Sequence, residues 1–343
     1  MALTKRGKVV TTVAVGLGIS VAGLGALAFT GHAPAPLQRL VNTVIDRATP
    51  CPLTGMEVGH GKDAPARPAV AVKIGNTEDA YPQAGLNDAD VIYEELVEGG
   101  ITRFVALFQC EQPTRVGPVR SARTTDPRIL LQYADTPILA YSGASPQVTQ
   151  YVDRIGIVSL TETSANGAYT RDTSRVAPHN LYVSIKALNR EARGRDVEHA
   201  APEPVFSFSG DLPGRGKRVR TVSITFSFSN TSGWTWSGGR WVRLAGGEPL
   251  LLEDGDPLTV DNVLIQEVVV GAGIGISPDV TMTGSGKAWL LRDGRLIQGR
   301  WTRRSLNGVT EFQTRSGDEM TFASGTTFVE LLPKETGEVS FER

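Results

Sequence analysis

Four histidines, eight lysines and two cysteines are all that this chain of 343 residues has of those types, and its formal net charge is -1. Without a large basic excess it is no general nucleic-acid binder, because affinity for backbone phosphates rests on many uncompensated cations. Any basic site must be local. No serine stands in a Gly-x-Ser-x-Gly setting, which leaves Ser121, Ser142 and Ser145 without the sharp turn that exposes a hydrolase nucleophile. Gly284-Ser285-Gly286-Lys287 falls short of a phosphate loop: Thr281 stands where the first glycine is required and Ala288 replaces the Ser or Thr, so a β-turn is expected there. No spacing of acidic, His or Cys residues matches a recognised metal motif, and no metal site is assigned. What remains, 40% apolar and 21% charged, is ordinary globular composition with length for two domains.

The N-terminus differs in kind. Lys5, Arg6 and Lys8 precede an uncharged run from Val9 to Thr30, and the next charged residue is Arg39. About 20 apolar residues span a bilayer as a helix, and the flanking cations place the N-terminus inside and the rest outside. Residues 1–33 are therefore a membrane anchor, or a signal segment cleaved near Gly31-His32-Ala33. In either case the folded part is extracytoplasmic, membrane-held or secreted. An oxidising compartment makes a Cys51–Cys110 disulfide the default for the two cysteines, with two free buried thiols as the alternative.

A Pro-rich tether is expected over 34–60. Residues 61–200 alternate strand and helix signals. "RPAVAVKIGN" is a strand, and "ADVIYEELVEGGITRFVALFQC" gives two more around Gly99-Gly100. "DPRILLQYA" is a helix with Asp126 as N-cap, "PILAYSG" a strand, and Ser145 and Ser184 cap two further helices. After a linker at 201–218 the texture becomes strand and turn over 219–335, with hairpins at Gly238-Gly239 and Asp293-Gly294 and a short tail, 336–343. The fold class expected is α+β or α/β: an N-terminal mixed α/β domain, then a mainly antiparallel β domain.

"CPLTG", "RPAVAVKIGN", "YPQAGLNDADVIYEELVEGGITRFVALFQ", "RVGPVRSAR", "RDTSRVAPHNLY" and "GSGKAWLLRDGRLIQGRW" together resemble the YerB-like envelope proteins, a domain-of-unknown-function family with an N-terminal and a C-terminal module. The resemblance runs co-linearly over roughly residues 51–333. It implies an anchored extracytoplasmic protein of two joined domains and supplies no activity. Relatives typically carry a lipidated cysteine near the N-terminus, which this chain lacks. Where Cys51 and Cys110 stand they commonly show Asn and a small polar residue, and this joint departure favours the disulfide.

The chemistry on offer is arginine. Eight arginines and no lysine lie between Ile101 and Arg175, although arginine outnumbers lysine throughout the chain. Its planar fork grips phosphate and carboxylate in a two-pronged way that lysine cannot. Arg103, Arg120, Ser121 and Arg123, with Arg171, Arg175, His179 and Asn180, form the candidate ligand-binding set. The heads of Arg103, Arg120 and Arg123 would converge at the end of the strands, where open α/β sheets bind ligands, while Arg171, Arg175, His179 and Asn180 sit on a polar loop between elements. His179, Glu94 and Asp90 are the candidate acid–base residues, at least one of which an enzyme reading needs within hydrogen-bond reach of the cleft. Glu94, Glu95 and Glu98, with Asp90, serve either as ion-pair partners for these arginines or as ligands for Mg²⁺, the one cofactor entertained. Three readings stay open: binding of an anionic glycopolymer, lipid-linked phosphate or carboxylate; a Mg-dependent envelope phosphotransferase or hydrolase at the same cleft; and a structural scaffold in which every arginine has its own carboxylate. Trp234, Trp236, Trp241 and Tyr93 read as core packing before they read as a carbohydrate platform.

Overall fold

The computed structural model describes residues 49–58, 63–195, 197, 199–211, 216–275 and 277–343. The expected anchor and most of the tether lie outside the described residues. Two compact units are present. In Met1–Thr49 with Glu57–Asp63, the Thr49 amide donates to Asp63 Oδ1 at 2.7 Å. The second unit, Pro50–Met56 with Ala64–Arg343, carries everything that follows. No helix among the described residues is long and apolar enough to cross a membrane.

The second unit is built on an eleven-stranded mixed sheet. Its N-terminal strands are β1 (Val70–Asn76), β2 (Val91–Leu96), β3 (Thr102–Phe108), β4 (Ile138–Tyr141) and β5 (Val158–Thr161). β2, β3 and β1 pair antiparallel, and β1, β4 and β5 run parallel. β1 and β3 are buried at every position, which is why their sequences read as near-continuous apolar runs. On its other edge β2 pairs in parallel with the strand Thr327–Pro333, which pairs in parallel with Asn262–Val268. The sheet then continues antiparallel through Gly284–Arg292, Arg295–Arg303 and Glu311–Thr314. One sheet thus crosses the boundary where the sequence changes texture. Gly284 to Lys287 begin a strand and are not the turn expected there.

Helices α1 (Thr125–Leu130) and α2 (Pro146–Arg154) cover one face, packing Ile129, Leu130, Val148 and Val152 on Val105 and Leu107. The other face carries α3 (Ile185–Ala192) and a six-stranded sheet that includes Thr221–Ser227, Asn230–Ser237 and Arg240–Ala245. Ile224, Phe226, Trp234 and Trp241 of that sheet meet Ile92, Phe104 and Phe328. Trp234 and Trp241 are fully buried, so they are core residues and no surface platform. Glu338–Glu342, within the expected tail, is an edge strand of this second sheet.

Local signals behave as their chemistry requires. Ser145 and Ser184 accept from the Val148 and Ala187 amides at the starts of α2 and α3. Gly238 and Gly239 (φ +60° and +83°) turn one hairpin, and Asp293 and Gly294 (φ +51° and +66°) the other. Asp126 is a correction: α1 begins at Thr125 with Thr124 before it, so Asp126 lies inside the first turn. Its carboxylate is taken by a buried ion pair described below. Cys51 and Cys110 form a disulfide with Cα atoms 6.2 Å apart.

Candidate functional site

The segment 116–124 lies across the carboxyl ends of parallel β1 and β4. The Arg120 amide donates to Lys73 O, the Ser142 amide to Arg120 O, and the Ala122 amide to Gly143 O. Gly75 lets the Arg120 stem cross β1, since a Cβ there would sit 3.0 Å from Arg120 Cγ. The loop arginines fare differently. Arg115 pairs with Glu253 and Asp172, Arg123 with Glu98, and Arg128 with Asp279. Arg103 donates to Ser121 O at 3.1 Å and shares Glu98. Burial and the Arg123 charge lower the Arg103 guanidinium to about 10. Burial works against ionisation of Glu98, yet Arg123 hydrogen bonds and the Arg103 charge hold its carboxyl down to about 2.

Arg120 is the exception. It is half-buried and donates to Pro178 O at 3.2 Å, and it has no carboxylate within ion-pair distance among the described residues. His179 is next to that carbonyl. Its Nδ1 is buried without a partner, and burial together with the Arg120 and Arg175 charges lowers its pKa. Arg175 is spent on backbone, donating to the carbonyls of Asp79, Tyr81 and Pro82. Arg171 forms a pair with Glu162, and Asn180 Oδ1 accepts from it at 3.0 Å. The eight candidates therefore divide. Arg103, Arg120, Ser121 and Arg123 form one cluster with His179 in its field, while Arg171 and Asn180 form a separate exposed pair.

Two acid–base candidates lie elsewhere. Asp90 is at the opposite end of β2, where its carboxylate accepts from the Gln109 and Cys110 amides, and burial raises it to about 6. Glu94 points to the far face of the sheet, held by Asn76, Thr102 and Arg243. Adjacent residues of a strand face opposite ways, and Glu94 and Glu95 obey this. No group of three or more His, Cys, Asp or Glu positioned to hold a metal occurs among the described residues. Glu94, Glu95 and Glu98 are each engaged by a cation.

Two buried clusters, one on each face, had no place in the sequence reading. Below the Arg loop, Lys73 bridges Glu95 and Asp126, all three with side chains fully buried. On the other face Arg243 bridges Glu94 and Glu330, and Trp234 Nε1 donates to Glu330 at 2.6 Å. Each sets two carboxylates against one cation, so burial leaves one carboxyl favouring its proton. Glu95 rises to about 7 and Glu330 to about 8. The available signal was a lone lysine inside the apolar strand "VAVKIGN", since a lysine buried on both sides demands a buried carboxylate.

A pH dependence follows from these shifts. The folded pKa values of Asp90, Glu95 and Glu330 all stand above the unfolded values near 4. Their contribution is complete below that range and is lost as pH rises through about 6 to 8. Urea unfolding is expected to give lower stability at pH 8.5 than at pH 5.5, and Glu330→Gln is expected to flatten the slope. A stability that climbs across that window contradicts the assignment.

Family models settle the kinship. The DUF3048 N-terminal domain, described as a protein of unknown function, matches residues 53–198, and the DUF3048 C-terminal domain matches 222–329. The chain belongs to the YerB-like DUF3048 family. Among DUF3048 relatives, the "Putative lipoprotein YerB" of Bacillus subtilis (strain 168) is 27% identical over 293 residues, covering 82% of this chain and 86% of that protein. The crystal structure of Bacillus subtilis YerB superposes with a TM-score of 0.73 at 25% identity, covering 85% of this chain and 99% of the solved one. The expected co-linear resemblance is thus found in sequence and in fold. The loop cluster and both buried ion clusters draw on the N-terminal DUF3048 module, and Arg243, Trp234 and Glu330 join the second cluster from outside it.

Proposed function

We propose that this DUF3048 protein is an envelope protein held outside the membrane by its N-terminal segment, and that it binds a phosphate- or carboxylate-bearing ligand at Arg120. The lipoprotein name of its relative and the cationic, apolar N-terminal sequence support the compartment. The observation that carries the binding reading is charge balance at the loop. Among the described residues, Lys73, Arg103, Arg120 and Arg123 have only Glu95, Glu98 and Asp126 within ion-pair distance of any of them, and Glu95 holds its proton up to about 7. Arg120 carries the surplus, with His179 Nδ1 beside it as a neutral hydrogen-bonding group. A two-pronged guanidinium contact to a phosphate or carboxylate fits that surplus. Binding is preferred to metal-assisted transfer because the neighbouring carboxylates are already matched to cations.

The test is a thermal-shift titration of the full chain with phosphate, pyrophosphate and magnesium alone. Pyrophosphate at a hundredfold excess over its dissociation constant is expected to stabilise by about 2.7 kcal/mol. Arg120→Ala is expected to abolish that response. Bound anion is also expected to raise the His179 pKa, read by NMR, because it offsets Arg120 and Arg175. An equal response in Arg120→Ala, or none in the wild type, removes the anion site from this loop.

A further inference from the structure

On the face of the main sheet opposite α1 and α2, a cleft of about 1010 Å³ opens between the end of β1 and the strands Asn230–Ser237 and Arg240–Ala245. Ligand pockets run to roughly 300–1,000 Å³, so this one is large enough for an extended ligand and not a single small ring. Three side chains that line it carry buried polar atoms without a partner: Thr77 Oγ1, Asn230 Oδ1 and Ser232 Oγ. Ser232 is only 8% exposed. Asn230 is held in this orientation, because its Nδ2 donates to Thr102 Oγ1 at 3.3 Å and leaves the oxygen free. Buried hydroxyls and amide oxygens are nearly always paired, so three orphans in side chains that line one cleft mark groups whose hydrogen bonds a ligand completes once those side chains turn toward it.

Charge narrows the ligand class. Arg243 is the only cation lining the cleft among the described residues, and it is consumed by Glu94 and Glu330. Glu78 and Asp79 stand exposed on the rim and repel phosphate or carboxylate. A peptide adding as a strand finds no open edge at Leu244 and Ala245. Those residues pair on one side with Gly233 and Ser232 and on the other with Pro249 and Glu248. A saccharide hydroxyl both donates and accepts, so it can satisfy hydroxyl and amide oxygens alike. The exposed Leu251 and Pro82 offer apolar surface for the faces of the rings. We infer that this cleft binds a neutral oligosaccharide through Thr77, Asn230 and Ser232, at a site separate from the arginine loop.

Calorimetric titration of the full chain with chitotetraose and maltotetraose tests this, beside tetra-alanine as a neutral peptide. Wild type is expected to bind one of the saccharides, and Thr77→Val/Ser232→Ala to weaken it roughly tenfold for two lost hydrogen bonds. The substitutions delete unpaired hydroxyls, so the variant's unfolding midpoint is expected to hold or rise, which separates lost binding from lost fold. Absence of saccharide binding in wild type, or equal binding in the variant, overturns the inference. Binding of tetra-alanine in place of the saccharides overturns the ligand class.

Discussion

Replacing Arg243 by methionine is expected to cost about 3–5 kcal/mol of unfolding free energy at pH 7, the usual penalty for stranding buried charge. The register of the parallel pair sets Glu94 beside Glu330 across the β2 junction, and like charges so placed repel. Arg243 reaches both carboxylates from the second sheet, and its guanidinium lies 5.2 Å from the centres of the Trp234 and Phe328 rings. The one side chain thus offsets one of the two charges, with Glu330 holding its proton up to about 8, and ties the two sheets together. Without it the remaining buried negative charge has no cation, so the loss is expected to shrink below about pH 5, where carboxyl protonation is nearly free. Adding Glu330→Gln to Arg243→Met is expected to recover part of the stability and keeps the test readable if the single variant fails to fold. Urea unfolding at pH 5 and pH 7 measures both effects. A loss under 1 kcal/mol at pH 7, or one that does not vary with pH, would falsify the cluster's role.

Removal of the disulfide by Cys51→Ser/Cys110→Ser is expected to lower stability by about 4 kcal/mol in the chain-entropy model for a separation of 59 residues. The bond pins a turn to the end of β3. In that turn the Gly55 amide returns to Cys51 O, Leu53 is fully buried, and Thr54 O accepts from the Gly325 amide. Thr54 O thus joins this turn to a segment more than 250 residues further on. Loss of the bond is expected to loosen the whole turn, which proteolysis at 50–56 would report alongside the urea midpoint. A shift equivalent to less than about 1 kcal/mol would mean that the hydrogen bonds and Leu53 hold the turn unaided, and that the bond adds little to the folded state.

The elements that were legible in the sequence are those whose signals are local. Ser145 and Ser184 close their helices with a hydroxyl three residues from the amide that they accept. "RPAVAVKIGN" and "ITRFVALFQ" announce buried strands because most of their positions are apolar on both faces, and the two glycine-bearing hairpins follow from the left-handed backbone they require. The motifs shared with YerB-like proteins are likewise local strings. Asp126 shows the limit: it has the look of an N-cap, yet the buried Lys73 claims its carboxylate and the helix begins one residue earlier.

The residues alone determined the element types, the alternation that gives way to strands after residue 200, the family, and a concentration of arginine around one turn. Tertiary structure decided which of the loop arginines is left without a carboxylate within ion-pair distance among the described residues. Glu98 lies 25 residues before Arg123, and Glu253 lies 138 residues after Arg115, so which arginines they neutralise depends on how distant strands are stacked. It also decided that β2 joins Thr327–Pro333, which sends Glu94 to Glu330 and Arg243 and leaves Glu95 to Lys73. Ion pairing falls off over a few ångströms while sequence separation sets no distance at all, so only the folded chain determines which charges are matched and which are left without a partner.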